Sequence, residues 1–478
     1  MSKRYFFHSF MLDGENYILN VADSRIERVD DLTYKIAWLL ENHPKEKIVR
    51  YLSRDHSKKQ IDEAQEKFFK IVEGSYVVAP SSWKTPLDYI KKNVARNVSL
   101  FDLFVADTCN LCCDYCYIND KYSRKGLMTQ EIAQKALDFL FSSSRQKNIR
   151  IIFRGGEPLL NMDVVKHLIE TCQKYSKNGD RNFNYQLTTN GTLLSKDIFA
   201  FLAKHNVNLG ISLDGDKVTH DTARKFPAGK GTYDLVNRKI NQIRKADRDY
   251  FDKKVALLSV VTPRHPDILE RVKYFKGRGI KRFSFSRVRA TNKYALLIEE
   301  EKLLDKHAEI YDIYLTNKML SGEYEEVSYE IPYSIMIRKM IAPCKEYFQC
   351  MAGMRYLAVD VDGGIYSCTN FTGNEKFLLG NIGDGIEIKR VFKFYNDFNL
   401  ATKKCRTCWA VFFCGRPCFY EIAQKNGGFC EPKDAFCKKI KEHFLKAFQF
   451  YQRINIIDPY IFNNWNREFD LQLIKQRI

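Results

Sequence analysis

The stretch DTCNLCCDYCY, residues 107–117, follows directly on the apolar run LFDLFVA, residues 100–106. Its Cys109, Cys113 and Cys116 stand in a C-x3-C-x2-C spacing, with Cys112 beside Cys113. Three thiolates on one loop can hold three irons of a [4Fe–4S] cluster and leave the fourth iron open to another ligand. A structural zinc ion would call for a fourth Cys or His at finger-like spacing, and Cys112 is badly placed to supply it. Zinc, or a set of buried thiols, stays open on this motif alone.

Outward from that loop, short apolar runs alternate with amphipathic segments. Strands are expected at Leu100–Ala106, Arg150–Phe153, Phe183–Thr188, Val207–Leu213, Val255–Val261 and Arg282–Ser286. Helical periodicity falls between them, near residues 129–143, 162–177, 195–204, 231–246 and 265–278. This βα alternation predicts a parallel sheet with helices outside it, an α/β partial (β/α)6 barrel over residues 98–290. Its chemistry belongs at the C-terminal strand ends. There the sequence places RGGEP (154–158), TTNG (188–191) and SLDGD (212–216), each a polar, glycine-containing turn.

Behind C-x3-C-x2-C and in that order, these turns make residues 98–290 resemble a radical S-adenosylmethionine (SAM) enzyme. The resemblance implies that Cys109, Cys113 and Cys116 carry the catalytic cluster, whose open iron takes the amino and carboxylate groups of SAM. Gly155, Gly156, Glu157 and Pro158 match the motif that binds the methionine amino group. Ser212 and Asp214 lie where the family contacts ribose or methionine, and Arg224 matches an arginine that pairs with the carboxylate. Tyr115 and Tyr117 flank Cys116 as the family's adenine-side aromatics do; ordinary packing is the alternative. The implied chemistry is one-electron cleavage of SAM to a 5′-deoxyadenosyl radical that abstracts hydrogen, which calls for a closed, dry site.

The 478 residues suggest about two to four domains, and no stretch approaches the ~18–20 apolar residues of a membrane span. The start of the chain does not resemble a signal peptide, so a cytoplasmic location is expected. Net charge is +19, but basic residues are interleaved with acids throughout, which disfavours a nucleic-acid partner. Fourteen cysteines without an export signal point to metal ligation before disulfides.

Residues 1–80 contain no cysteine. RYFFHSFML, the turn Asp13-Gly14 and ENYILNV read as a β-hairpin, followed by helical patterns at DDLTYKIAWLLEN and KQIDEAQEKFFKIVEG. A winged-helix-like module is expected there, with residues 79–86 as its exit linker. A helical bridge, 291–341, leads to residues 342–453, where the loop-rich stretch 344–437 is expected to bury little apolar surface and to depend on metal centres in place of a core. Cys405-x2-Cys408-x5-Cys414-x3-Cys418, preceded by Cys344, Cys350 and Cys368 and followed by Cys437, is similar to the SPASM extension of radical SAM enzymes. The resemblance implies one auxiliary [4Fe–4S] cluster on Cys344, Cys350, Cys368 and Cys418, and another on Cys405, Cys408, Cys414 and Cys437, making three clusters with the catalytic one. Two zinc sites are the rival, Cys430 competes with Cys437, and Cys172 reads as a buried apolar residue.

SPASM enzymes mostly modify peptides or proteins. The N-terminal module resembles the leader-recognition module of maturases of ribosomally made peptides, which takes the leader as an added strand. The implied partners are a precursor peptide with a leader and an electron donor such as flavodoxin or ferredoxin. The expected reaction is cysteine thioether formation, with carbon–carbon or carbon–oxygen crosslinking next. Anaerobic sulfatase maturases tend to carry Asp after the cysteine matching Cys368, and here that residue is Thr369. An RNA-modifying enzyme and a non-catalytic iron–sulfur carrier are the remaining alternatives.

Overall fold

A computed structural model describes residues 5–43, 45–74, 87–116, 126–177, 181–262, 264–287, 350, 352–424, 426–457 and 460. Tyr117, Cys344, the linker 79–86 and the helical bridge 291–341 lie outside them.

Strands β1 (Phe7–Leu12), β2 (Glu15–Asn20) and β3 (Ile26–Val29) form an antiparallel sheet. Asp13 and Gly14 both take positive φ, 51° and 82°, as a two-residue hairpin turn demands. The sheet is followed by helices Asp31–Asn42, Lys45–Leu52 and Lys58–Ile71. The first is capped by Asp30, which accepts from Thr33 N at 2.9 Å; the third is opened by a Ser57/Gln60 capping box.

Period-two alternation lets this sheet bury both faces. Phe7 and Ile18 pack on Ile36, Leu39, Ile61 and Phe68 of the helices. Phe10, Leu12, Tyr17 and Leu19 pack instead on Val411, Phe412, Phe444 and Phe448, near the other end of the chain.

Among the described residues the main sheet has ten strands. Six run parallel, β4 (Leu100–Ala106), β5 (Asn148–Gly155), β6 (Asn182–Thr189), β7 (Asn208–Ser212), β8 (Val255–Val261) and β9 (Phe283–Arg287), with helices between them. Phe101, Leu103 and Val105 of β4 join Ala133, Leu137 and Leu140 beneath the helices, so Asp102 and Phe104 fall on the opposite, concave face. Beyond β4 the sheet continues through β10 (Tyr356–Val359), parallel to β4, and then antiparallel β11 (Gly364–Tyr366), β12 (Leu378–Asn381) and β13 (Gly385–Ile386).

This extension corrects one expectation. Residues 352–429 do carry a core: Leu357, Val359, Ile365, Phe371, Phe394, Tyr395, Phe398 and Phe419 are buried and continuous with the core of the parallel sheet. Aromatic residues spaced through the loops converge once β10 docks on β4. Among the described residues no helix is long and apolar enough to cross a membrane.

Candidate active site

The cysteine loop leaves β4 at Ala106 and is pinned on two sides. On one, Gly156 N donates to Ala106 O at 2.8 Å and Glu157 N to Thr108 O at 3.0 Å. Glycines make that approach possible, because a Cβ on Gly155 (φ +153°) would stand 2.1 Å from Ala106 O and one on Gly156 2.4 Å from Thr108 O. On the other, Cys112 N donates to Lys225 O at 2.8 Å and Asp114 N to Ala223 O at 3.0 Å.

Glu157 is fully buried at the end of β5. Its carboxylate accepts from Leu159 N at 3.0 Å, Thr189 Oγ1 at 2.6 Å and Asn190 N at 2.7 Å, tying the β5 and β6 ends together. Burial pushes its pKa up to about 7, against the pull of those donors. Pro158 opens the short 3-10 turn that follows.

Asp214, just past β7, is the second buried carboxylate. It accepts from the Tyr115 hydroxyl at 2.6 Å, Arg224 Nε at 2.9 Å and Val260 N at 2.8 Å. Burial alone would raise its pKa, but Arg224 and the hydrogen bonds from Tyr115 and Val260 N outweigh that and hold it below the usual carboxylate value. The Arg224 guanidinium lies 5.3 Å from the Tyr115 ring centroid. Ser212, at the end of β7, is buried beside them. Tyr115 and Arg224 are thus committed first to Asp214, within the cysteine loop's own scaffold.

The residues not singled out from sequence are short polar side chains. Asn190 Nδ2 lies 3.7 Å from Cys109 Sγ and donates to Asn110 Oδ1 at 2.9 Å. Leu111 N points at Cys109 Sγ at 3.4 Å. His220 accepts from Asp214 N through Nδ1 at 3.3 Å and meets Thr232 Oγ1 through Nε2 at 2.9 Å; burial pushes its pKa down to about 4, so it serves as a neutral brace. For Asn190, only the polarity of its turn hinted at the role.

The thiols fit a cluster. Burial raises Cys109 to about 11 and Cys113 to about 12; Cys109 also feels Cys116, and Cys113 feels both Cys116 and Cys109. Cys112 is exposed. Among the described residues no three His, Cys, Asp or Glu side chains close around a single-ion position.

In the second region Cys405, raised to about 11 by burial and then by Cys408 and Cys437, stands within electrostatic reach of both. Cys414 borders the same core. Cys430 is exposed and its thiol faces Ile422 O at 3.3 Å, so Cys437 is the one placed with Cys405 and Cys408. Cys350, Cys368 and Cys418 all adjoin the main core. Beside Cys368, the Ser367 hydroxyl is buried without a hydrogen-bond partner among the described residues, a donor suited to a cluster sulfur. Cys172 is fully buried in its helix.

Comparison with known proteins agrees with this geometry. Residues 103–267 match the model of the radical SAM superfamily. An uncharacterized protein of Methanocaldococcus jannaschii is 31% identical over 294 residues, 60% of this chain and 90% of that protein. The cysteine-type anaerobic sulfatase-maturating enzyme of Clostridium novyi is 26% identical over 378 residues, 73% of this chain and 95% of that enzyme. The crystal structure of Streptococcus suis SuiB bound to precursor peptide SuiA shares the fold, with TM-score 0.51 at 15% identity, covering 90% of this chain and 98% of SuiB. With its cysteine loop, glycine-permitted contact and strand-end carboxylates in place, the chain belongs to the radical SAM superfamily and is an enzyme that uses SAM and a [4Fe–4S] cluster.

Proposed function

We propose that this enzyme matures a ribosomally made precursor peptide, forming cysteine thioether crosslinks, and that it carries two auxiliary [4Fe–4S] clusters beside the catalytic one. The observation that supports this reading best is the continuity of the main sheet. β10 lies directly against β4, so the loop carrying Cys368 is built onto the barrel wall that also carries the Cys109–Cys116 loop.

When bound, a reduced cluster and SAM supply a 5′-deoxyadenosyl radical that takes a hydrogen atom from the substrate. The chain's part is positional. Glu157, Asp214 and Arg224 fix the loops around SAM, with Gly155, Gly156, Pro158 and Ser212 giving them shape; Tyr115 and, outside the described residues, Tyr117 are the proposed adenine-side aromatics. Cys344, Cys350, Cys368 and Cys418, and Cys405, Cys408, Cys414 and Cys437, are the proposed auxiliary ligand sets. The N-terminal sheet and helices, a winged-helix-like unit, are the proposed leader site, and flavodoxin or ferredoxin the electron donor.

A second reading, maturation of a sulfatase, is favoured by the Clostridium novyi relative. Thr369, buried where an Asp base is expected in that subgroup, weighs against it. Anaerobic turnover of the cysteine-containing peptides encoded beside the gene, and separately of a sulfatase-derived cysteine peptide, separates the two. Thioether formation predicts a loss of two hydrogens and one alkylatable cysteine per event on the first. Modification of the sulfatase peptide alone would replace this reading with the second.

A further inference from the structure

Glu157 and Asp214 serve the site described above; a third buried carboxylate on the concave face, Asp102, does not. Asp102 has no exposed surface. Its Oδ1 and Oδ2 accept from Arg154 Nε at 3.3 and 3.2 Å, and Oδ2 also accepts from the Tyr356 hydroxyl of β10. The Tyr356 oxygen in turn lies 3.3 Å from Thr369 Oγ1 and accepts from Thr369 N at 3.5 Å. Arg154 immediately precedes Gly155-Gly156-Glu157, and Thr369 immediately follows Cys368. A connected polar chain therefore runs along the barrel wall from the SAM-motif loop to the Cys368 loop.

Stability alone is a poor reason for such an arrangement, since desolvating a buried ion pair cancels most of its attraction. Its electrical consequence is specific. With its proton turned to Asp102, the Tyr356 oxygen presents only lone pairs towards Thr369, and by accepting from Thr369 N it withholds that donor from the sulfur of the adjacent Cys368, a donor that loss of the hydroxyl would release. Iron–sulfur potentials are set by net charge, hydrogen bonds to sulfur and exposure. A carboxylate with no exposed surface, whose Arg154 partner is one-third exposed and so partly screened by solvent, and a withheld donor both disfavour the reduced, more negative form of a cluster.

We propose that Asp102, acting through Tyr356, holds down the reduction potential of the iron–sulfur centre at Cys368, and that both are positioning residues for that centre. The proposal rests on reading Cys350, Cys368 and Cys418 as auxiliary ligands. Its test uses the full-length reconstituted chain with Cys109, Cys113 and Cys116 replaced by Ala, so that only auxiliary centres report in an EPR-monitored redox titration. Asp102→Asn and Tyr356→Phe should each shift one auxiliary potential upward and leave the other in place. Tyr356→Phe keeps the Asp102–Arg154 pair, so it decides the matter if Asp102→Asn fails to fold. Full iron content with unmoved or lowered potentials in Tyr356→Phe overturns the proposal alone. In a parallel Cys368→Ser chain the centre that moved should disappear; unchanged iron there would overturn the ligand reading and this proposal with it.

Discussion

The Tyr115 hydroxyl, from inside the cysteine loop, donates to Asp214 Oδ2 at 2.6 Å across 99 residues of sequence. Through that bond and the Arg224 contact, the loop's shape depends on the β7 end as well as on β4. Asp214→Asn should keep the fold and lower SAM cleavage by about 10- to 100-fold, the usual effect of losing a partner behind a metal ligand. Counting 5′-deoxyadenosine under dithionite checks it; undiminished cleavage would show that the loop holds without this brace.

Gly156→Ala should be more severe at the cluster than in the fold. The added Cβ would meet Thr108 O at 2.4 Å and Cys109 Cβ at 3.0 Å, so the loop must shift, at a cost of about 1–3 kcal/mol. Iron content of the reconstituted protein should drop at the catalytic site while the auxiliary iron remains.

Glu157 gives the metal-free chain a pH signature. Its folded pKa is raised from 4.5 to about 7, so between those values the folded state holds a proton that the unfolded state has released. Stability from this group is fully present below about pH 4.5 and declines as pH rises to about 7, by up to about 3 kcal/mol. Denaturant titrations across that window should show the decline flatten in Glu157→Gln.

Iron analysis tests the cluster count. Three four-iron sites call for about 12 irons per chain, and Ala at Cys109, Cys113 and Cys116 together should remove about four of them along with SAM cleavage. Cys112→Ala, an exposed position, should change neither.

Phe10→Ala asks how far the N-terminal sheet can be treated as a separate unit. Phe10 is 5% exposed and lies in the cluster that contains Phe412, Phe448 and Cys405. The substitution should cost about 3–5 kcal/mol and loosen iron at Cys405, Cys408, Cys414 and Cys437. Deletion of residues 1–80 is correspondingly a harsh test of peptide recognition, because it uncovers that apolar face.

Much of the parallel sheet was legible in the sequence because most of its strands are apolar runs followed by polar, glycine-containing turns, and because C-x3-C-x2-C and RGGEP have few other uses. What escaped was non-local. β3 is hidden by Glu27 and Arg28 in its middle. The parallel pairing of Tyr356 with Leu100 leaves no periodic trace across so long a separation. Asp102 reads as a lone polar interruption of LFDLFVA until Arg154 and Tyr356 arrive from other strands. Asn190, in a turn, and His220, inside the helix Lys217–Ala223, look like any other polar residues until the sulfur and the carboxylate beside them are placed.

The packing of β1 and β2 on Val411–Phe448 sets an order of events during synthesis. The cover for Phe10, Leu12, Tyr17 and Leu19 of the hairpin is made about 390 residues after the hairpin itself, roughly 20–80 s at ordinary elongation rates of about 5–20 residues per second. Over that interval the nascent chain carries a sheet with one oily face in water. A sheet made well before its cover is therefore among the last parts to reach its finished state, and the yield of folded enzyme should depend on how well the cell shields that face in the meantime.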